Sequence, residues 1–274
     1  MEDLRTVLQR NGFAFKKQFG QNFISDTNLL RSIVQAAGIN KESRVLEIGC
    51  GAGTLTRELA AAAERVVAYE IDRKLQPVLA ETLAGIENAE VVFRDFLKED
   101  LAAVEAELGR YTVVANLPYY ITSAIVMKFV EDAKNADALV IMVQDDVAKR
   151  FCAEAGTPEY GAITAAIARR ADAKIVKYVP RQMFYPVPGV DSAVVKLTFG
   201  EGRIPVKDAK TYRDTVRAAF LSRRKTLENN LVNAFPLPAK GQRRRLPARA
   251  STKRRAGRRS PPKNWRNWRI FCTK

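Results

Sequence analysis

Histidine is absent from the 274 residues. Its absence excludes a Ser-His-Asp triad, a Cys-His dyad and any His-ligated metal, so the chemistry of this chain works without an imidazole base. Cysteine is nearly as scarce. Cys50, Cys152 and Cys272 have neither metal-ligand nor disulfide-framework spacing, which fits a reducing cytoplasm. No apolar run reaches the roughly 18 residues of a membrane span, so no transmembrane helix is expected. The opening Met1-Glu2-Asp3 is acidic and lacks the apolar stretch of a signal peptide.

Acidic residues are missing from one stretch altogether. The net charge is +16, but Phe235 to Lys274 holds 14 Lys and Arg and no acid, leaving 32 basic against 30 acidic residues elsewhere. The body is therefore almost neutral, and the basicity belongs to the tail.

What is present is an alternation of strand and helix signals. Strands are expected at Arg44–Ile48, Val66–Glu70, Val91–Arg94, Val113–Asn116, Ala138–Gln144, Ile175–Val179 and Ala193–Phe199. Helices are expected at Thr54–Ala63, Lys74–Leu83, Thr122–Glu131 (with Thr122 or Ser123 as N-cap), Asp145–Ala153 and Tyr160–Arg170. Strands separated by single helices imply right-handed crossovers and a mostly parallel, doubly wound sheet. Such sheets bind ligands beyond the carboxyl ends of their strands. After about Gly202 the pattern becomes two helices, Ala209–Phe220 and Arg223–Phe235.

The first strand ends in Glu47-Ile48-Gly49-Cys50-Gly51-Ala52-Gly53, and a helix follows. Glycines there allow a tight turn and close approach of a ligand to the backbone, although an ordinary strand-to-helix turn has the same pattern. Two acids sharpen it. Glu70-Ile71-Asp72 closes the second strand, where a carboxylate can bind ribose hydroxyls, and Asp95 follows the third, where it can accept from an adenine amine. A nicotinamide enzyme would more often show a third glycine where Thr54 stands, and no Gly-Lys-Ser/Thr phosphate loop is present.

The fourth strand runs into Asn116-Leu117-Pro118-Tyr119-Tyr120. The exocyclic amine of adenine is a poor nucleophile because its lone pair is delocalised. Asn116 can accept one amine proton, and the Leu117 or Pro118 carbonyl the other, so that the lone pair turns towards a methyl donor. That is catalysis by positioning and electrostatics, and it needs no histidine. Tyr119 can stack on the base once it leaves the nucleic-acid stack.

With these motifs the chain resembles the KsgA-type small-subunit ribosomal RNA adenine dimethyltransferases over about Phe15 to Phe235. Further matching motifs are Phe19-Gly20-Gln21-Asn22-Phe23, Tyr160-Gly161, Phe184-Tyr185-Pro186-Val187-Pro188, Val190-Asp191-Ser192 and Phe220 to Leu227. The resemblance implies an α/β, Rossmann-like, seven-stranded S-adenosylmethionine-dependent methyltransferase sheet whose last strand is antiparallel, with a small C-terminal helical domain. It implies a catalytic domain at 1–202 and a truncated accessory domain at 203–235. It implies dimethylation of two adjacent adenosines near the 3′ end of 16S RNA, within a 30S assembly intermediate. S-adenosylhomocysteine would be the product, and no metal, membrane or obligate protein partner is implied. Gln21, Asn22, Ile24, Gly49, Gly51, Glu70, Ile71, Asp95, Phe96 and Asn116 would surround the cofactor. Asn116, Pro118, Tyr119 and Phe184 would form the catalytic set, with Phe184 stacking on the base opposite Tyr119. Lys16, Lys17, Arg223, Arg224 and Lys225 would contact RNA phosphates. On the residues alone, Asp95 also fits a helix cap, Phe184 a core ring and Arg223–Lys225 a solvated helix start.

The chain departs from the family pattern at Cys50, where proline is usual, at Gln144-Asp145-Asp146-Val147, and above all in the tail at 236–274. When Pro262 to Lys274 is back-translated and read two nucleotides later, Glu-Glu-Leu-Ala-Glu-Leu-Ala-Asp-Phe-Leu-Tyr-Gln is a permitted product. That is an amphipathic acidic helix like the family's ending. The tail therefore reads as a frameshift arising between about Leu237 and Gln242, disordered in its present composition, and its charge is no argument for RNA binding. The rival reading is a basic RNA-binding arm.

Large-subunit resistance methyltransferases resemble Asn-Ile-Pro-Tyr rather than Asn-Leu-Pro-Tyr. A DNA adenine methyltransferase would usually carry an Asp-Pro-Pro-Tyr-like motif. A catalytically silent RNA-binding assembly factor is disfavoured because every proposed catalytic position is occupied.

Overall fold

The computed structural model describes residues 4–15, 21–200, 206–222 and 225–235. The chain opens with α1 (Leu4–Arg10), β1 (Phe23–Ile24) and α2 (Thr27–Ala37). Asp26 caps α2 by accepting from Leu29 N at 2.7 Å, and Gly38 closes it in the left-handed conformation that glycine adopts freely. There follow β2 (Arg44–Ile48), α3 (Thr54–Ala62), β3 (Arg65–Glu70), α4 (Gln76–Thr82), β4 (Ala89–Phe93), α5 (Leu101–Leu108), β5 (Tyr111–Asn116), α6 (Tyr119–Asp132) and β6 (Ala136–Gln144). After these come α7 (Asp145–Phe151), α8 (Ala162–Arg170), β7 (Ala171–Val179), β8 (Phe184–Tyr185), β9 (Ser192–Phe199), α9 (Ala209–Ala219) and α10 (Leu227–Ala234).

Seven strands form one sheet in the order β4-β3-β2-β5-β6-β9-β7. β9 runs antiparallel to both neighbours, and the remaining pairs are parallel. The expected Rossmann-like sheet with an antiparallel last strand is thus the observed one. Its inner strands are nearly continuous apolar runs because both faces are covered. Ile33, Val34, Leu55 and Leu59 of α2 and α3 join Val45, Val114 and Val140 of the sheet in one core cluster. A second cluster brings Leu4, Val7 and Leu8 of α1 against Val78 and Leu79 of α4. The strand order reverses between β2 and β5, which is where a doubly wound sheet opens a crevice.

Several boundaries differ from those expected. α6 begins at Tyr119 with Pro118 at its N-cap, not at Thr122. Proline pre-sets the backbone for helix entry, and the Thr122 hydroxyl instead bonds back to Pro118 O at 3.4 Å. β7 starts four residues before Ile175, because α8 runs into it with no turn residue between. A two-stranded antiparallel pair, Phe23↔Tyr185 and Ile24↔Phe184, was not expected at all.

The described residues divide into two compact units, one drawn from 4–148 with 171–200 and the other from 149–170 with 206–235. Residues 149–170 thus group with the C-terminal segment, unlike the continuous 1–202 segment expected. The Tyr212 hydroxyl of α9 donates to Ala165 O of α8 at 3.0 Å, and Tyr160 meets Phe220 with ring centroids 6.0 Å apart. Asn230 of α10 is buried and donates to Ala219 O and Ser222 O, both at 3.0 Å.

Candidate active site

A cavity of about 330 Å³ lies beyond the carboxyl ends of β2 to β5. Every residue proposed for catalysis or cofactor binding lines it: Gln21, Asn22, Ile24, Gly49, Gly51, Glu70, Ile71, Asp95, Phe96, Asn116, Pro118, Tyr119 and Phe184. Of the proposed RNA contacts, Lys16, Lys17, Arg223 and Arg224 lie outside the described residues, as does the tail at 236–274. Lys225 is exposed and directly precedes Thr226, which caps α10 by accepting from Asn229 N at 3.3 Å.

The glycine turn is the floor. Gly49 and Gly51 have φ of 76° and 56°, where a side chain would be strained. A Cβ on Gly51 would also stand 2.8 Å from the Phe23 ring. Gly51→Ala is therefore expected to destabilise the protein by roughly 1–3 kcal/mol, read by denaturant or thermal unfolding. Above the turn, β1 is held down by Thr54 Oγ1, which donates to Ile24 O at 2.8 Å.

The acids stand as the strand ends require. Glu70 accepts from Gly51 N at 2.9 Å, Ile71 N at 2.9 Å and Asp72 N at 2.8 Å. Burial raises its pKa, and those three backbone bonds offset part of the rise. Asp72 is a capping residue: it accepts from Lys74 N at 3.2 Å and from Gln21 Nε2 at 3.2 Å. Asp95 caps the following turn through Oδ1, accepting from Leu97 N at 3.1 Å, while lining the cavity as well. Its two readings from sequence are compatible.

Among the described residues, Asn116 is oriented by a single hydrogen bond. Its Nδ2 donates to Asn22 O at 3.3 Å, which turns Oδ1 into the acceptor left for a ligand. Pro118 O accepts from Ile121 N at 3.2 Å and from Thr122 as part of the first turn of α6. The Tyr119 hydroxyl shares a 2.9 Å hydrogen bond with Ser192 Oγ of β9, fixing its ring at the cavity. Burial raises the Tyr119 pKa, offset in part by Ser192. Phe184 lines the cavity and belongs to the core cluster, with 4 % of its surface exposed.

Glu47 and Tyr120 are among the lining residues that carry no role on the sequence alone. Glu47 is 1 % exposed, and burial pushes its pKa up to about 8. Tyr120 is 65 % exposed at the rim. Parity gives no hint of Glu47, because every residue of β2 after Arg44 is buried.

A sequence model of the family described as ribosomal RNA adenine dimethylase matches residues 12–246. The chain belongs to the ribosomal RNA adenine dimethylase family. It is 46% identical over 237 residues to a ribosomal RNA small subunit methyltransferase A of Geobacillus thermodenitrificans, covering 85% of this chain and 81% of that protein. It is 45% identical over 236 residues to the protein of that name from Streptococcus gordonii, covering 84% and 81%. Among solved structures, a dimethyladenosine transferase from Plasmodium falciparum aligns with a TM-score of 0.67 and 29% identity, over 76% of this chain and 74% of that one. The 23S rRNA methyltransferase ErmE aligns with a TM-score of 0.63 and 30% identity, over 78% and 85%. Family membership makes the chain an S-adenosylmethionine-dependent adenine methyltransferase, and the cavity fits that cofactor. A glycine floor leaves room beside the backbone, and carboxylates end β3 and follow β4, where ribose hydroxyls and an adenine amine need acceptors.

Proposed function

We propose that this chain dimethylates the exocyclic amines of two adjacent adenosines near the 3′ end of 16S ribosomal RNA, in a 30S assembly intermediate in the cytoplasm. S-adenosylmethionine supplies an electrophilic methyl group on sulfur. The observation that carries the reading is the geometry of Asn116, whose amide is oriented by Asn22 O so that an acceptor oxygen faces the cavity. Oδ1 takes one amine proton. Pro118 O is committed to α6, so the Leu117 carbonyl takes the other. Tyr119 stacks on the base, with Phe184 as the wall on its other face. Glu70 holds the cofactor ribose and Asp95 its adenine amine. The higher identity to small-subunit relatives than to ErmE supports 16S over 23S RNA as substrate.

Nucleoside analysis of 16S RNA from treated 30S particles tests this reading. Dimethyladenosine at two adjacent positions near the 3′ end is expected, and methylation confined to other sites would refute it. Glu70→Ala should weaken S-adenosylmethionine binding by about 10- to 100-fold, the worth of hydrogen bonds to a charged group. An unchanged affinity in calorimetry would count against the ribose assignment.

We read the basic tail as translated out of frame, so RNA contact falls to Lys225 and to the patches Lys16-Lys17 and Arg223-Arg224. Gene sequencing that finds codons unable to encode the acidic helix would overturn that reading.

A further inference from the structure

We propose that Lys128, which does not line the cavity, is a positioning residue that sets the affinity for S-adenosylmethionine by holding the turn that carries Asp95. The inference rests on the cofactor reading of the cavity. Asp95, Phe96 and Leu97 line the cavity from the short turn that follows β4. Two backbone bonds close that turn: Lys98 N donates to Asp95 O at 3.0 Å, and Glu99 N to Phe96 O at 3.2 Å. The carbonyls at its end have no longer helix to continue into, so their donors come from elsewhere. Lys128 of α6 supplies them. Its Nζ donates to Glu99 O at 2.7 Å and to Leu97 O at 3.3 Å, and it lies 5.9 Å from the centre of the Phe96 ring.

The aim of the Asp95 carboxylate follows this backbone. Its Oδ1 is committed to Leu97 N at 3.1 Å, so the side chain moves with the turn. The ion pair of Asp95 with Lys98 is exposed and 3.8 Å long, and such pairs hold little. Phe96 is buried, stacked on Phe129 of α6 at 5.7 Å and edge-on to Tyr69 at 5.0 Å. Those rings anchor the start of the turn and leave its far end to Lys128. Adjacent residues of one helix therefore grip both ends. The same helix begins at Tyr119 and sends Ile121 and Ile125 to the cavity wall, so one rigid element sets both the cofactor turn and the base-side motif. Without the ammonium, the Leu97 and Glu99 carbonyls lose a charged donor and the turn is free to shift. Asp95 then meets the adenine amine off its hydrogen-bonding position. The ribose separates that amine from the methyl-bearing sulfur, so the loss falls on affinity and not on the transfer step.

Lys128→Met keeps the apolar stem of the side chain and removes the donor, whereas Lys128→Arg keeps a cationic donor. Calorimetry with S-adenosylhomocysteine gives affinity, and methyl transfer to 30S particles gives KM for S-adenosylmethionine and kcat. Thermal unfolding fixes a temperature at which each protein is folded. Lys128→Met should weaken S-adenosylhomocysteine binding and raise KM by about tenfold, with kcat within about twofold of wild type. Lys128→Arg should recover most of that loss. Unchanged affinity and KM in folded Lys128→Met would overturn the proposal, as would a fall in kcat at constant KM. Equal losses in the Met and Arg variants would mark a general disturbance of α6 and overturn it too. Should Lys128→Met not fold, Lys128→Gln carries the test: its shorter donor should cost about threefold in affinity, and wild-type binding would refute the role. Failure of the wild type to bind S-adenosylhomocysteine would bring down the cofactor reading together with the inference. Binding weakened by Glu70→Ala but not by Lys128→Met would remove the inference alone.

Discussion

Asn116→Ala is expected to slow methyl transfer by about 10²–10³-fold or more, while S-adenosylmethionine affinity changes by less than about fivefold. The reasoning is geometric. On the proposed mechanism the amine nitrogen attacks only when its protons are drawn away from the methyl donor, and the Nδ2 bond to Asn22 O would hold Asn116 Oδ1 for that purpose. Alanine removes the acceptor but leaves Glu70, Asp95 and the glycine turn in place. Asn116→Asp should fall between the two, because it keeps an acceptor and loses the donor to Asn22 O. Single-turnover transfer and cofactor titration measure the two quantities separately. Alanine activity near the wild-type level would remove Asn116 from the mechanism.

The second large effect is on stability against pH, and it concerns Glu47. Its carboxyl titrates near the ordinary 4.5 in the unfolded chain and at about 8 when folded. Between those values the folded protein holds a proton that the unfolded chain releases, so stability falls as pH rises through that window. Glu47→Gln is neutral throughout and lacks that slope. Relative to the wild type it should gain roughly 3 kcal/mol in unfolding free energy between about pH 6 and about pH 9. Urea unfolding at several pH values measures this. Parallel curves for the two proteins would show that Glu47 is already ionised in the fold.

How much of this was legible beforehand depends on the kind of signal. Val45, Val66, Val113 and Leu139 belong to strands buried on both faces, so apolar runs between Ala-rich helices announced the parallel sheet. The positions of the proposed site residues were equally plain, because Gly49, Glu70, Asp95 and Asn116 each stand at or just beyond a strand end and line the cavity. What was hidden came from contacts distant in sequence. β1 and β8 have two residues each, too short for any periodicity, and pair across 160 positions of chain. That pairing puts Ile24 beside Phe184, and the residue just before β1, Asn22, supplies the carbonyl that orients Asn116. The start of α6 lies earlier than the hydroxyl of Thr122 suggests, because Pro118 sets the turn. Glu47 escaped notice as part of the glycine motif. Only the folded structure shows that this acid lines the cavity as well as ending a strand.

The most direct test of the account is transfer of labelled methyl groups from S-adenosylmethionine by the full chain to unmethylated 30S particles, in parallel with 50S particles and DNA. The account predicts dimethyladenosine from the 30S sample alone. Label appearing in 50S RNA or DNA instead, or no transfer despite measurable cofactor binding, would contradict it.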